Sequence, residues 1–355
     1  MVAGPASSSV AAVAGFGSAV PARYDQQELW DGFFRHHHAG SRHAAPVWRH
    51  SGVHSRHGVV DPRVEDISGW GTGARMRRYV EEAVPLGKEA LAGCLRDASL
   101  APGDVDLLAV VSCTGYATPG LDILLARDLG LPAATQRLAV GHMGCYAALP
   151  GLSAVADSVA ARGATALLLC LELTTLHLQP ATDDPEQIVA HALFADAAAA
   201  VAVTPSRGAL EVVDVVAHTD ATTTELMTWD VTDLGFRMSL SAEVPKILAQ
   251  HVAPVVDGLL ARHGVSRDAV AGWAVHPGGP RIVDVVQDRL GLADEDVAAS
   301  RAVLRDYGNC SSATVLLILE RLRAERDLAA GDHVVALAFG PGLTLYTALL
   351  RVRGR

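Results

Sequence analysis

The 355-residue sequence has no apolar run that reaches the roughly 18 residues needed for a membrane-spanning helix. It also has no excess of positive charge, because 29 Lys and Arg stand against 39 Asp and Glu, which gives a net charge of -10. A nucleic acid or an anionic membrane surface is therefore not expected as the main partner. No basic stretch precedes the first apolar residues, so we predict neither a secretory signal nor a membrane anchor.

Cysteine is sparse, and no pair of cysteines has C-x-x-C spacing. A chain of this length does not need disulfides to stabilise its core, so the five thiols predict a reducing, cytoplasmic location. Seven histidines lie between His36 and His57, but no cysteine accompanies them. We predict no metal site there, and interpret the segment as an exposed polar stretch.

What the sequence does contain is a large apolar fraction, with 50% hydrophobic residues and a mean hydropathy of +0.25. Short continuous apolar runs alternate with helical patterns, which predicts strands buried on both faces of an α/β sheet. The predicted strands are residues 10–16, 105–111, 165–171, 271–276 and 333–339.

A weak internal duplication organises these elements. Gly144-Cys145 precedes a helical pattern that runs to Ala161, and Gly308-Asn309 precedes a similar pattern that runs to Leu328. Each pattern is followed by a glycine and a strand, and each copy also follows an earlier strand. The sequence therefore predicts two related α/β halves, residues 1–204 and 205–355.

Cys145 is the first candidate for chemistry, because it lies between a short apolar segment and a predicted helix. The dipole and free N–H groups of a helix N-terminus favour a thiolate. A buried cysteine that only packs is the simpler alternative. The choice between these two depends on what the fold brings near Cys145.

Two residues of the second half complete the candidate site. His276 ends a predicted strand, where a structural histidine and a catalytic one are equally compatible with the pattern. Asn309 follows Gly308 before a predicted helix, where an N-cap is the simpler role. If the halves pack around a pseudo-dyad, both residues approach Cys145. A thiolate beside a histidine and an asparagine that donate to a carbonyl oxygen suits acyl-thioester chemistry.

Six ordered motifs are spread over nearly the whole chain. They are Gly144-Cys145, LFADAAA at 193–199, LGF at 234–236, HPGGP at 276–280, YGNCSSA at 307–313 and AFGPGLT at 338–344. Together they resemble the type III polyketide synthases, which include chalcone and stilbene synthases and bacterial alkylpyrone and alkylresorcinol synthases. Tyr146-Ala147-Ala148, Ala195 and Ala197 stand where plant members carry glycines, and in this the chain resembles the bacterial branch.

The resemblance implies a thiolase-like fold in an α-β-α-β-α layering, a homodimer, and a triad of Cys145, His276 and Asn309. It implies an iterative acyltransferase, in which Cys145 carries an acyl starter taken from CoA and malonyl-CoA extends it by decarboxylative condensation. The chain is then cyclised to a pyrone, a resorcinol or a related phenolic. No metal or other cofactor is implied beyond the CoA thioester substrates, and we expect an aliphatic starter.

The resemblance also implies roles for residues around the triad. Phe194 and Phe236 correspond to two gatekeeping aromatics between the CoA tunnel and the cavity. Gly340, Pro341 and Gly342 correspond to a loop that shapes cyclisation. The residues expected to face or border the cavity are Cys113, Thr118, Thr174, His177 and Ser311, of which Thr118 lies in a loop that reaches towards the partner subunit.

Arginine is the side chain best suited to the phosphates of CoA, because it makes bidentate contacts. Arg56 and Arg281 lie next to recognisable motifs, and Arg42 and Arg49 are further candidates. A solvated surface role is the alternative for all four.

Two other functions are compatible with the triad. A ketoacyl-ACP synthase III type of enzyme uses the same three residues for a single extension, although the HPGGP and FGPG motifs favour the polyketide synthase. A non-catalytic thiolase-fold partner subunit is the third reading, and the presence of all three triad residues argues against it.

Overall fold

The computed structural model describes residues 10–205 and 207–354, and its core is one mixed sheet with helices on both sides. The strands are β1 Ala11–Ala19, β2 Ala22–Asp25, β3 Ser55–Gly58, β4 Leu107–Ser112, β5 Gln136–Gly141, β6 Ala166–Leu173, β7 Asp196–Pro205, β8 Leu210–Thr219, β9 Met227–Thr232, β10 Gly235–Leu240, β11 Val270–Val275, β12 His333–Gly340 and β13 Thr344–Val352. The helices are α1 Gln26–Leu29, α2 Arg35–His37, α3 Ala44–Arg49, α4 Thr72–Asp97, α5 Leu121–Leu129, α6 Ala148–Arg162, α7 Pro185–Leu193, α8 Val244–Arg262, α9 Pro280–Leu290, α10 Asp294–Tyr307 and α11 Ala313–Glu325. A π-helical turn, Trp30–Phe34, joins α1 to α2.

The main sheet has nine strands in the order β11-β12-β13-β8-β1-β7-β6-β4-β5. Its two halves meet where β1 pairs with β8, and that pairing spans only two residue pairs. The same order of pairings occurs in each half. In the first half, β4 and β6 are parallel, β6 and β7 are antiparallel, and β7 and β1 are antiparallel. In the second half, β11 and β12 are parallel, β12 and β13 are antiparallel, and β13 and β8 are antiparallel. The strand order therefore repeats between the halves, as the duplication predicts. The boundary between residues 204 and 205 stays a prediction.

Apolar side chains on both faces of the strands create three helical layers. In β6, Leu168 packs with the central helices α6 and α11, whereas Leu167 and Leu169 pack with α4 and α5. In β12, Ala336 faces the same central helices, and Val335 faces α8 and α9. Because the sheet folds around α6 and α11, the order of layers is α-β-α-β-α, as predicted.

The predicted strands agree with the structure to within a few residues, because continuous apolar runs are typical of strands covered on both faces. The two predicted helices also form, but each begins later than its motif. Cys145 lies three residues before the first residue of α6, and Asn309 lies four before that of α11. Both residues therefore lie in the turns that lead into the central helices.

Two small sheets lie outside the main one. The strands β2 and β3 form one pair, and the hairpin of β9 and β10 forms the other. All five cysteines are free thiols and are buried. Within residues 10–205 and 207–354, no helix is long and apolar enough to cross a membrane.

Candidate active site

The turn that carries Cys145 is shaped by a close contact with the loop after β12. Gly144 has a φ of +82°, which side chains other than glycine rarely adopt. A Cβ on Gly144 would lie 2.6 Å from Cδ of Pro341. A Cβ on Gly340 would likewise lie 3.3 Å from the amide nitrogen of Cys145. Gly340 and Pro341 therefore pack closely against the turn that carries Cys145.

The thiol of Cys145 does not have the low pKa that the sequence predicts. Burial raises its pKa to about 12, and the negative charge of Glu172 adds to the rise. Hydrogen bonds from Ser311 and Asn309 act in the opposite direction but are outweighed. Because Cys145 lies in the turn before α6 and not on its first residues, the field of the helix does not overcome desolvation. Burial and the Glu172 charge therefore both oppose ionisation of this thiol.

His276 is the first residue after β11, and it is fully buried. Neither of its ring nitrogens has a hydrogen-bond partner among the residues that the structure describes. Burial alone lowers its pKa to about 3, so the imidazole is neutral at rest. The ring packs edge-on against Phe339, with 5.9 Å between centroids. Both ring nitrogens of His276 are therefore available to a group bound in the cavity that this residue lines.

Asn309 is buried, and its side-chain amide has a defined orientation. Its Oδ1 accepts a hydrogen bond from the amide of Ser311 at 2.9 Å, so the Nδ2 end faces away from that turn. Its backbone bonds to Leu193 O at 2.8 Å and to Ala195 N at 2.9 Å, which form a bridge across Phe194. Since Ser312 is the N-cap of α11, the N-cap role does not apply to Asn309.

A cavity of about 610 Å³ brings these groups together. Cys145, His276 and Asn309 all line it, together with Phe194 and Phe339. The convergence that the duplication predicts is therefore present. A thiol, an unpartnered imidazole and an oriented carboxamide around one cavity can form an acyl thioester and bind its carbonyl oxygen.

A second chamber of about 60 Å³ lies on the other side of Phe194. Phe194 lines both spaces, whereas Phe236, His177 and Thr174 line the small chamber only. Phe194 thus lies between the two spaces, as does Met238, whereas Phe236 forms a wall of the small chamber only. The gatekeeping roles of both aromatics stay predictions.

Comparison with known proteins decides the family. Residues 3–206 match the N-terminal domain of the chalcone and stilbene synthases, and residues 214–353 match their C-terminal domain. The chain belongs to the chalcone and stilbene synthase family. It is a type III polyketide synthase, an enzyme of the acyltransferase class.

Similar proteins from actinomycetes extend this result. The 3,5-dihydroxyphenylacetyl-CoA synthase of Streptomyces toyocaensis is 32% identical over 96% of this chain and 89% of its own length. The 1,3,6,8-tetrahydroxynaphthalene synthase of Streptomyces peucetius subsp. caesius is 35% identical over 85% of this chain and 81% of its own. The crystal structure of the tetrahydroxynaphthalene synthase of Streptomyces coelicolor A3(2) superimposes with a TM-score of 0.91 at 28% identity, covering 98% of this chain and all of that one. The thiolase-like fold and the main function predicted from the sequence are therefore confirmed, and the single-condensation alternative is not supported.

Next to Cys145, the synthase contains a buried carboxylate that the sequence analysis missed. Glu172, on β6, accepts hydrogen bonds from the amide of Cys113 at 3.0 Å and from the hydroxyls of Thr114 at 2.8 Å and Ser312 at 2.5 Å. Burial raises its pKa. Cys113 Sγ also lies 3.5 Å from the Ser311 hydroxyl, so both expected cavity residues contact this network and not the open cavity. The only signal in the sequence is one acidic residue inside an apolar strand.

Thr118 lies on an exposed loop and lines neither space within this chain. Its hydroxyl lies 3.3 Å from that of Tyr116, which is 66% exposed. The expected approach to a partner subunit stays a prediction.

The four candidate arginines separate into two groups. Arg281 is exposed and lines the large cavity, and Arg49 lies between Val47 and His50, which line it too. Arg42 is exposed nearby in sequence.

Arg56 differs from the other arginines, because it is only 4% exposed. Its guanidinium donates to Gln26 Oε1 and to the carbonyls of His191, Ala192 and Phe194 at 2.6–3.2 Å. Contrary to the expectation, Arg56 is unavailable to a CoA phosphate. It instead holds the end of α7 and the backbone of Phe194.

The histidine-rich segment is partly buried, which corrects the expectation of an exposed stretch. His38 and His57 are 2% and 9% exposed. Their rings bond to the carbonyls of Thr182 at 3.0 Å and Pro21 at 2.9 Å. Across residues 10–205 and 207–354, no group of three or more His, Cys, Asp or Glu is placed to hold a metal ion.

Proposed function

We propose that Cys145 is the nucleophile that carries the growing chain and that His276 is its base. The thiol proton moves to His276 as the sulfur attacks the carbonyl of an acyl-CoA starter. The CoA thiolate leaves with that proton, which restores a neutral imidazole. The opposed pKa shifts of the two groups support transfer at the moment of attack over a standing ion pair.

In the extension step, His276 and Asn309 bind the thioester oxygen of malonyl-CoA. The bond to the carboxylate breaks, CO₂ leaves, and the electron pair forms an enolate whose oxygen these two groups stabilise. The enolate carbon attacks the acyl-Cys145 carbonyl, and the sulfur leaves and is reprotonated. Decarboxylation supplies the carbanion, so this chemistry requires no metal or redox cofactor.

The CoA moiety is proposed to lie along the mouth of the large cavity. Arg281 is the main phosphate contact, with Arg49 and Arg42 beside it, because exposed arginines can pair with phosphate at little desolvation cost. Arg56 is not part of this site.

The product is proposed to be a phenolic or a pyrone, because relatives of this chain are named for phenolic and α-pyrone products. The small volume of the chamber behind Phe194 favours a short aliphatic starter over a long one. Incubation with malonyl-CoA and acyl-CoAs of graded length, followed by mass spectrometry of the products, tests this. Exclusive use of aromatic or long-chain starters would overturn the starter assignment.

We also propose that the synthase is a homodimer that pairs along β5, in the cytoplasm. This strand pairs only with β4 in the described part of the chain, and Leu138 and Ala139 on it are exposed. The exposed Ile123 lies on α5, which packs against β5. An uncovered apolar edge strand is a template for a second chain. Leu138→Lys should give a monomer by light scattering, whereas Val64→Lys, at an isolated residue that is 85% exposed, should not.

The observation that carries the catalytic assignment is the unpartnered His276 beside Cys145 in one cavity. Intact mass measured after incubation with an acyl-CoA should show an acyl adduct that Cys145→Ala abolishes. Cys94→Ala removes another buried thiol, on α4, and should leave the adduct in place. An adduct on Cys145→Ala would refute the assignment. A single β-ketoacyl product that forms only with an acyl-carrier protein would refute iterative condensation.

A further inference from the structure

The hairpin of β9 and β10 carries the Phe236 gate but is not hydrogen-bonded to the main sheet. Its position therefore depends on contacts with the surrounding elements, among them a backbone hydrogen bond from Thr72 to the carbonyl of Asp233. Several side-chain contacts lie away from Phe236, including the Ser239 hydroxyl, which bonds to Glu186 at 2.6 Å. The side-chain hydrogen bonds to the backbone of Phe236 come from one short segment, residues 177–179.

Both backbone polar groups of Phe236 are held by this segment. The amide of Phe236 donates to Nδ1 of His177 at 2.9 Å. The carbonyl of Phe236 accepts from Nε2 of Gln179 at 3.1 Å. A β-strand residue whose amide and carbonyl are both bound by side chains cannot slide along its strand without losing both hydrogen bonds.

The geometry allows only one tautomer of His177. Its Nε2 lies 2.7 Å from the carbonyl of Thr114, which can only accept, so Nε2 carries the proton. Nδ1 is then a lone pair that accepts from Phe236 N–H. Burial and the nearby Arg75 charge lower the pKa of His177 to about 3, so the imidazole stays neutral. Protonated Nδ1 would place two donors against each other.

The ring of His177 also fixes the ring of Phe236. The two rings are stacked with 4.5 Å between centroids and 10° between planes. Trp229 packs edge-on against both, at 5.3 Å from His177 and 5.9 Å from Phe236. On another side, His142 packs edge-on against Phe236 at 5.7 Å, and His142 lies three residues before Cys145. The gate ring is therefore surrounded by aromatic contacts that allow one orientation.

We propose that His177 is a positioning residue: through its Nδ1 acceptor and its stacked ring it holds Phe236 against His142 of the turn that carries Cys145, in the chamber wall next to Phe194, so that water does not reach the enolate from that side. This inference rests on the proposed function. If the gate is loose, water protonates the enolate carbon after CO₂ has left, and acetyl-CoA is released without a new C–C bond. Loss of the His177 contact should therefore uncouple decarboxylation from condensation, with little effect on decarboxylation itself.

The test compares variants that keep different parts of the imidazole. His177→Asn places an amide oxygen near Nδ1 and keeps the acceptor for Phe236. His177→Gln keeps a donor for Thr114 and loses that acceptor. His177→Phe keeps the ring and loses both hydrogen bonds. The measured quantity is acetyl-CoA released per C–C bond formed from malonyl-CoA, together with kcat and KM for CO₂ release.

We expect His177→Gln and His177→Phe to raise the acetyl-CoA ratio at least fivefold, and His177→Asn to raise it less, with CO₂ release within about threefold of wild type. Ser239→Ala loosens the hairpin elsewhere and should leave the ratio unchanged. If one variant does not fold, comparing Asn with the remaining one still separates acceptor loss from ring loss.

The inference is refuted if the ratio is unchanged in the Gln and Phe variants, or if Ser239→Ala raises it equally. Absence of CO₂ release from the wild-type protein would instead refute the proposed function. The two failures are therefore distinguishable.

Discussion

Replacing Gly144 by alanine tests whether the turn that carries Cys145 is held in place by Pro341, in the loop after β12. The change adds one methyl group at a φ of +82°, at 2.6 Å from Cδ and 3.0 Å from Cγ of Pro341. Gly163 ends the same helix, α6, with a φ of +67° and has no atom within 4 Å of its Cβ position. Gly163→Ala therefore has the backbone strain without the clash.

The expected costs follow from these two differences. A left-handed backbone costs a non-glycine residue about 1–2 kcal/mol, which is the whole effect expected for Gly163→Ala. Overpacking adds about 1–3 kcal/mol, so Gly144→Ala should lose about 2–5 kcal/mol of unfolding free energy. Pro341→Ala removes the two ring carbons in the clash. Combined with Gly144→Ala, it should recover about 1–3 kcal/mol relative to the sum of the single changes.

Urea unfolding measures the free energy of unfolding of Gly144→Ala, Gly163→Ala, Pro341→Ala and the Gly144→Ala/Pro341→Ala double variant relative to wild type. The rate of acyl loading on Cys145 measures the functional effect. A displacement of about 1 Å of the sulfur should lower the loading rate by roughly 100-fold in Gly144→Ala, and Gly163→Ala should load normally. Equal destabilisation by the Gly144 and Gly163 changes, with no coupling to Pro341, would show that the contact does not fix the turn.

The remaining predictions concern buried polar groups and the cavity mouth. His276→Leu removes two unpartnered nitrogens, so it should stabilise the fold by about 1–3 kcal/mol and abolish condensation. A lower melting temperature would contradict the cost assigned to these buried nitrogens. Glu172→Gln places an amide group among hydrogen-bond donors and should lower the free energy of unfolding by about 1–3 kcal/mol. Urea unfolding measures this loss, and unchanged stability would contradict it. Arg281→Ala should raise the KM for malonyl-CoA about tenfold with little change in kcat, and an unaltered KM would remove this residue from the CoA site. In the folded protein, burial lowers the pKa of His177, His191 and His276, whereas in the unfolded chain their pKa values are near 6.5. The free energy of unfolding should therefore fall as the pH drops below 6.5, by about 1.4 kcal/mol per histidine at pH 5.5. Urea midpoints that stay constant between pH 7 and 5.5 would exclude this.

Much of the architecture could be predicted from local patterns. Runs such as residues 105–111 and 165–171 are apolar throughout because their strands, β4 and β6, are covered on both faces. The spacing of glycines and strands showed two copies of one arrangement, and the structure repeats it in the strand order of the sheet. Boundaries were less exact, because Gly144 and Ser311, in the turns before α6 and α11, have a positive φ that interrupts the helical pattern of these segments.

The protonation state of the site was not predictable in the same way. The position of Cys145 before a helix favoured a thiolate, yet burial raises its pKa to about 12. Similarly, the position of Arg56 beside a motif predicted a contact with a CoA phosphate, but its guanidinium donates hydrogen bonds to carbonyl groups inside the protein. Desolvation depends on what surrounds a group in three dimensions, and no sequence window contains that information.

The sequence by itself determined the α/β class, the two related halves and the family, and it singled out Cys145, His276 and Asn309 as the candidate triad, because strand pattern and short motifs are local properties of the chain. Only the tertiary structure decided that Glu172 accepts from the amide of Cys113, that Arg56 donates to the carbonyl of Phe194 and that the amide of Phe236 donates to His177. These contacts join residues 59 to 138 positions apart, and they exist only once the chain has folded.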